Sequence, residues 1–71
     1  GNEHTAVISL LEECSHTLEY MRTTIGNVHK LGYRAIIFVA RNRSIIELFD
    51  AYDFHSQFPE LTYTWMILTD N

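Results

Sequence analysis

One cysteine, one proline and three glycines in 71 residues exclude several protein classes at once. Cys14 has no partner for a disulfide within the chain, so no disulfide framework holds it together. The ordinary use of such a residue is as a small buried hydrophobe. Sparse glycine and proline, without repeats, exclude collagen-like and low-complexity chains. Basic residues are also few: five Lys+Arg stand against nine Asp+Glu, a net charge of −4. No basic stripe can neutralise phosphates, so nucleic acid is not an expected partner. Apolar runs such as Ala35 to Ala40 fall far short of the ~20 residues that cross a bilayer. No membrane contact by this segment is expected, and no leader with a basic start and an apolar middle is legible.

What remains is the composition of a folded protein, 46% hydrophobic and 20% charged. Residues 1–71 make a single α/β unit, small enough to bury only about 60% of the surface its unfolded chain exposes. In the first half Val7, Leu10 or Leu11, Cys14, Leu18, Met21, Ile25, Val28 and Leu31 recur at steps of three and four. That spacing predicts a helical segment over 5–31, with a break near 23–26 where Thr23, Thr24 and Gly26 are weak helix formers. Gly32 follows the last periodic residue, where a left-handed C-cap favours glycine.

The period then changes. Residues 33–40, from Tyr33 to Ala40, form a short continuous run of β-branched and aromatic residues, as in a strand buried on both faces. A polar loop, Arg41-Asn42-Arg43, leads to Ser44-Ile45-Ile46-Glu47, which fits a capping box with Ser44 at the N-cap. A helix over 45–55 buries Ile45, Leu48, Phe49 and Tyr52, and Phe58-Pro59-Glu60 ends the pattern. Residues 61–69, Leu61 to Thr69, read as a second strand. The predicted order is helix, strand, helix, strand, with the two strands parallel. Two strands leave Ile36, Phe38, Met66 and Leu68 short of neighbours. The unit is therefore expected to belong to a larger doubly wound sheet or to be completed by dimerisation. The chain also stops directly after a strand, which favours an excised piece.

Chemistry finds little footing. Cys14 and His16, two apart on a helix, diverge by ~200° and cannot share a metal, and no Cys-x-x-Cys or His-x-x-x-His pair exists. Ser9, Ser15, Ser44 and Ser56 lack a nucleophile elbow, and Asp50 and Asp53 read as solvated carboxylates. No glycine-rich phosphate loop is present. No catalytic residue, metal or cofactor is expected, and the chain does not read as an enzyme. Asn42-Arg43-Ser44 is a glycosylation triplet with Asn42 as acceptor. The same residues, with Arg41, lie just past the carboxyl end of a strand, where open α/β sheets bind ligands. A helix N-terminus and two guanidinium groups there suit a small anionic ligand such as a carboxylate.

The stretch from Val28 to Asn71 is similar to part of a known ectodomain. A helix ends in Leu31-Gly32, and the run Tyr33-Arg34-Ala35-Ile36-Ile37-Phe38-Val39 comes after it. Next is a helix with Ile46, Phe49, Ala51 and Tyr52, and then Tyr63-x-Trp65 leading to Thr69-Asp70. This order resembles the type I periplasmic-binding-protein-like ectodomains of receptors, among them ionotropic glutamate, natriuretic peptide and GABA-B receptors. The resemblance implies a non-catalytic piece of an extracellular ligand-sensing or assembly domain of a membrane receptor. Its partner would be the remainder of the receptor lobe or a second copy of the chain. Ligand binding would close the cleft between two lobes and shift a conformational equilibrium in signal transduction. Only Asn42, Arg43 and Ser44 correspond to a cleft-lining region. The lobe reading requires the segments near 36 and 67 to lie side by side, parallel, and between helices on both faces. The alternative is a stand-alone cytoplasmic αβαβ interaction module that dimerises through Val7, Leu11, Cys14, Leu18, Met21 and Ile25. A third is an acidic inhibitor that presents Glu12, Glu13, Glu19, Asp50 and Asp53.

Overall fold

The computed structural model describes residues 4–69, so Asp70, the last residue of the Tyr63-x-Trp65…Thr69-Asp70 motif, lies outside the described residues. The chain is an α/β unit. Strand β1 (Thr5–Leu10) leads through a 3-10 turn (Glu13–His16) to helix α1 (Leu18–Lys30), and strand β2 (Ala35–Ala40) comes next. Helices α2 (Ser44–Ala51) and α3 (Phe54–Gln57) then connect to strand β3 (Thr62–Ile67). The three strands form one sheet in the order β1-β2-β3, all parallel.

The first element corrects the helix expected over 5–31. Thr5–Leu10 is a strand paired with β2 from Thr5↔Ala35 to Leu10↔Ala40. Val7, Leu10 and Leu11 satisfy the helical spacing, but the same stretch also alternates: Ile8 and Leu10 are buried while Val7 and Ser9 are exposed. A short apolar run carries both periods, and only the partner strand decides between them. Helix α1 starts at Leu18 because Thr17 takes the N-cap, its hydroxyl accepting the Tyr20 N–H at 3.1 Å. It then runs unbroken through Thr23, Thr24 and Gly26, so the expected break does not occur. Burial of Met21 and Ile25 on its sheet-facing side outweighs the weak local propensities.

The end of α1 is as expected. Gly32 has φ +96°, and its N–H donates to the His29 carbonyl while the Tyr33 N–H donates to the Val28 carbonyl, both at 3.1 Å. This is a Schellman cap, in which the residue past the helix adopts the left-handed conformation that glycine tolerates best. The helix expected over 45–55 is instead two pieces. Asp53, with φ 59° and ψ 46°, turns the chain between α2 and α3. Its short side chain lets it occupy that left-handed region more readily than most residues.

One core holds the unit, and it lies on one side of the sheet. Ile8 and Leu10, Ile36, Phe38 and Ala40, Met21 and Ile25, and Ile45, Phe49 and Phe54 belong to one buried cluster. Tyr63, Trp65 and Ile67 of β3 pack against it. The two crossovers therefore place α1, α2 and α3 on the same face, as right-handed connections do when consecutive strands are added in one direction. The segments near 36 and 67 are adjacent and parallel, with Ile36↔Tyr63 and Ala40↔Ile67. The expected sandwich is not found: helices cover one face only, and Val7 and Met66 stand exposed on the other. The condition set for the lobe reading is met in pairing and direction but not on the second face.

Candidate functional site

The triplet Asn42-Arg43-Ser44 lies in the loop between the carboxyl end of β2 and the start of α2. Ser44 is the first residue of α2 and not its cap; Arg43 takes the cap position without a side-chain bond. The cap is supplied from Asn42, whose Oδ1 accepts both the Ser44 N–H at 3.0 Å and the Ser44 hydroxyl at 2.5 Å. A carboxamide two residues upstream reaches the first free N–H through an Asx turn. Ile45 N–H donates to the Asn42 carbonyl at 3.4 Å, and Ile46 N–H to the Arg43 carbonyl at 3.0 Å. The amide donors that would meet an anion at this helix start are therefore already engaged. A carboxylate here would have only the exposed Arg41 and Arg43 to meet it.

Strand order decides the matter further. Ligands of open α/β sheets enter the crevice where strand order reverses, because there the flanking helices diverge to opposite faces. The order β1-β2-β3 contains no reversal, and every helix packs on one face. These strands create no such crevice among themselves.

The more distinctive surface is the other side of the sheet. Three cross-strand rows build it: Thr5–Ala35–Thr62, Val7–Ile37–Thr64 and Ser9–Val39–Met66. Leu68 lies just past the end of β3. Val7 is 67% exposed, Met66 54% and Leu68 52%, while Ile37 and Val39 on the central strand are half-buried by their neighbours. No residue in these rows carries a charge. Sequence reasoning grouped Met66 and Leu68 with Ile36 and Phe38, whereas the pleat separates them: Tyr63, Trp65 and Ile67 face the helices. The signal was in the sequence, as alternation of small or β-branched uncharged residues between the buried ones. A continuous hydrophobic run hides that alternation.

The aromatic-x-Trp element has a packing role. Phe38 stacks on Trp65 (centroids 4.9 Å) and on Tyr63 (5.8 Å). Phe49 meets both edge-on at 5.3 and 5.0 Å. The Tyr63 hydroxyl is buried without a hydrogen-bond partner among the described residues. Burial pushes its pKa up to about 12, since the phenolate would lose its hydration.

The remaining polar groups serve local structure. His16 donates from Nε2 to the Leu10 carbonyl at 2.7 Å, and the Tyr52 hydroxyl donates to the His16 carbonyl at 3.3 Å, pinning the 3-10 turn to β1 and α2. Cys14 is exposed on that turn, not a buried hydrophobe. With Val7 on the bare sheet face and Met21 and Ile25 in the core, the seam of the alternative dimerisation module is dispersed. His29 and Glu60 meet at 2.6 Å across the α1 end and the turn before β3. The bond from His29, with Arg34 nearby, holds the Glu60 carboxyl below its ordinary value. Among the described residues no group of three or more His, Cys, Asp or Glu could hold a metal. A shallow depression of about 360 Å³ over Thr17, Glu19, Tyr20, Thr23 and Thr24 is open to solvent. No described helix is long and apolar enough to cross a membrane. Comparison with protein families, curated proteins and solved structures finds no match for the chain.

Proposed function

We propose that this chain is a non-catalytic α/β unit of an extracellular domain of a membrane receptor, serving its assembly, with the remainder of the receptor lobe seated on the bare sheet face. The observation that carries this reading is that face: a parallel sheet, free of charge in all three rows, and covered by helices on its opposite side only. Parallel sheets occur almost only with both faces covered, because crossover helices pack against them. A solvated sheet face alternates with polar, commonly charged residues; here Thr5, Ser9, Thr62 and Thr64 supply hydroxyls but no charge, and Val7, Ile37, Val39 and Met66 form an apolar diagonal between them.

The dimensions favour the rest of a lobe over a second copy. Three strands of six residues span roughly 20 Å by 14 Å, or about 280 Å² of projected area. A stable protein–protein interface takes about 800 Å² from each partner. Paired against its own image, this face falls well short. A helix of about 13 residues is as long as these strands, and two such helices side by side would span the sheet. The resemblance to periplasmic-binding-protein-like ectodomains supports the same reading, since the doubly wound sheet of such a lobe supplies that second layer. The absence of a strand-order reversal favours the assembly half of the expectation over direct ligand contact.

Charge placed on the bare face tests the proposal. Ile37→Glu and Val39→Lys, introduced into the full-length gene product, are expected to abolish delivery of the protein to the cell surface. A charge driven beneath a packed layer costs several kcal/mol. The same substitutions in the isolated chain are expected to cost only about 1 kcal/mol each, because Ile37 and Val39 are half-buried on the central strand and not covered by a second layer. Normal surface delivery of both variants would overturn the proposal.

A further inference from the structure

We propose that Asn42 carries an asparagine-linked glycan, a modification that rests on the extracellular reading above because the transfer takes place in the secretory pathway. The acceptor triplet Asn42-Arg43-Ser44 supplies the required carboxamide and hydroxyl at a spacing of two. Short triplets of this kind arise by chance, and one inside a strand or in the core could not carry a bulky polar group. The fold places this one between secondary-structure elements: β2 ends at Ala40 and α2 starts at Ser44. Arg41, Arg43 and Ser44 are exposed, and Asn42 itself is half-buried between them.

Local geometry separates the two ends of the Asn42 carboxamide. Oδ1 is held by the Ser44 N–H and hydroxyl. Nδ2, the atom to be joined to sugar, has no hydrogen-bond partner among the described residues. A glycan on Nδ2 therefore leaves the cap of α2 intact, since capping uses the oxygen alone. The bare sheet face also stays free, because Ile37 and Val39 lie along the body of β2 and Asn42 beyond its end. The sugar and the packed layer of the proposed lobe can thus coexist.

The chemistry is a displacement at the anomeric carbon of an oligosaccharide attached to a lipid pyrophosphate. The bond from Asn42 Nδ2 to that carbon forms, and the bond from the carbon to the pyrophosphate oxygen breaks. The lipid pyrophosphate leaves with the electron pair, and one Nδ2 proton passes to a base of the transferase. No oxidation or reduction is involved.

The test uses the full-length gene product in cells that perform this transfer. Surface protein is labelled and collected, protein retained in secretory membranes is collected separately, and both pools are peptide-mapped before and after peptide-N-glycosidase. Modification of most molecules at position 42 is expected in either pool, retained in Ser44→Thr and lost in Ser44→Ala and Asn42→Gln. Protein that reaches the surface or the secretory membranes with position 42 unmodified overturns this proposal and leaves the receptor reading standing. Protein confined to the cytosol overturns the receptor reading, and the glycan with it.

Discussion

Phe49 ties the helices to two strands through one buried ring, and removing it should cost a large share of the unit's stability. It is fully buried on α2, with ring contacts to Phe38 (5.1 Å), Phe54 (5.2 Å), Tyr63 (5.0 Å) and Trp65 (5.3 Å). It therefore couples α2 and α3 to both β2 and β3. Truncating a buried phenylalanine to alanine costs about 3–5 kcal/mol from lost transfer energy and the cavity left behind. A unit of this length has a total stability of roughly 4–11 kcal/mol at 0.05–0.15 kcal/mol per residue. Phe49→Ala should accordingly remove between about a quarter and all of that stability. Phe49→Leu keeps most of the volume and loses the ring-to-ring geometry, at about 1–2 kcal/mol. Urea unfolding tracked by Trp65 fluorescence reads this directly, because Trp65 is the sole tryptophan and lies against the substituted ring. An alanine variant that lost less than about 1 kcal/mol would refute the packing argument, since truncations at a well-filled site cost several times that. Equal losses for alanine and leucine would refute it as well.

Three further substitutions probe separate features. Gly32→Ala forces a side chain into φ +96° at the Schellman cap and should cost about 1–2 kcal/mol in the same unfolding experiment. Tyr63→Phe removes a buried hydroxyl that has no partner among the described residues, so it should be neutral or stabilising near neutral pH. Because the Tyr63 pKa is raised in the fold from 10.0 to about 12, its contribution is fully present below pH 10 and lost as pH rises toward 12; the phenylalanine variant should lack that alkaline loss in a pH series of melts. Glu60 has the opposite sign. Its carboxyl is held below 4.5 by His29 and Arg34, so its stabilisation is present above pH 4.5 and disappears as pH falls through the lower folded value. Glu60→Gln should flatten that acid limb, and 1 M salt should weaken it in the parent chain.

The second half of the chain was largely legible because each element there carried more than one local signal. Gly32 after a periodic helix, the β-branched run before Ala40 and the aromatic run before Ile67 each combined composition with a boundary residue. Thr5–Leu10 carried no such redundancy. Its apolar residues fit a helix as well as a strand, and no glycine or proline separates it from helix α1; Glu12 and Ser15 close only a single 3-10 turn. Its partner, β2, begins 25 residues after Leu10, so the deciding contact is absent from any local window. The cap of α2 failed for a related reason. Ser44 and Glu47 have the spacing of a capping box, but Asn42 lies close enough to reach the Ser44 N–H first. The bare face was missed because a strand buried on both faces and a strand buried on one with small uncharged residues on the other give similar runs.

The distribution of charge over the unit bears on which role this surface can play. Every one of the described acidic residues lies outside the sheet rows: Glu12 and Glu13 on the turn after β1, Glu19 on α1, Glu47 and Asp50 on α2, and Asp53 and Glu60 in turns. Basic residues obey the same rule, with Arg34 and Arg41 flanking β2 at its two ends. The described charges thus lie on the helical side and along the edges of the unit, and the rows of the open sheet face carry none. The acidic-inhibitor reading draws on Glu12, Glu13, Glu19, Asp50 and Asp53, all exposed, and leaves the uncharged β face without a role. At the carboxyl end of β2 the Ser44 N–H and hydroxyl are engaged by Asn42 Oδ1, which leaves the Asn42 Nδ2 and the exposed Arg41 and Arg43 as the side-chain donors there. Under the assembly proposed above, charge at the rim, none in the sheet rows and a core on one side only is the expected arrangement, and it is the one present here.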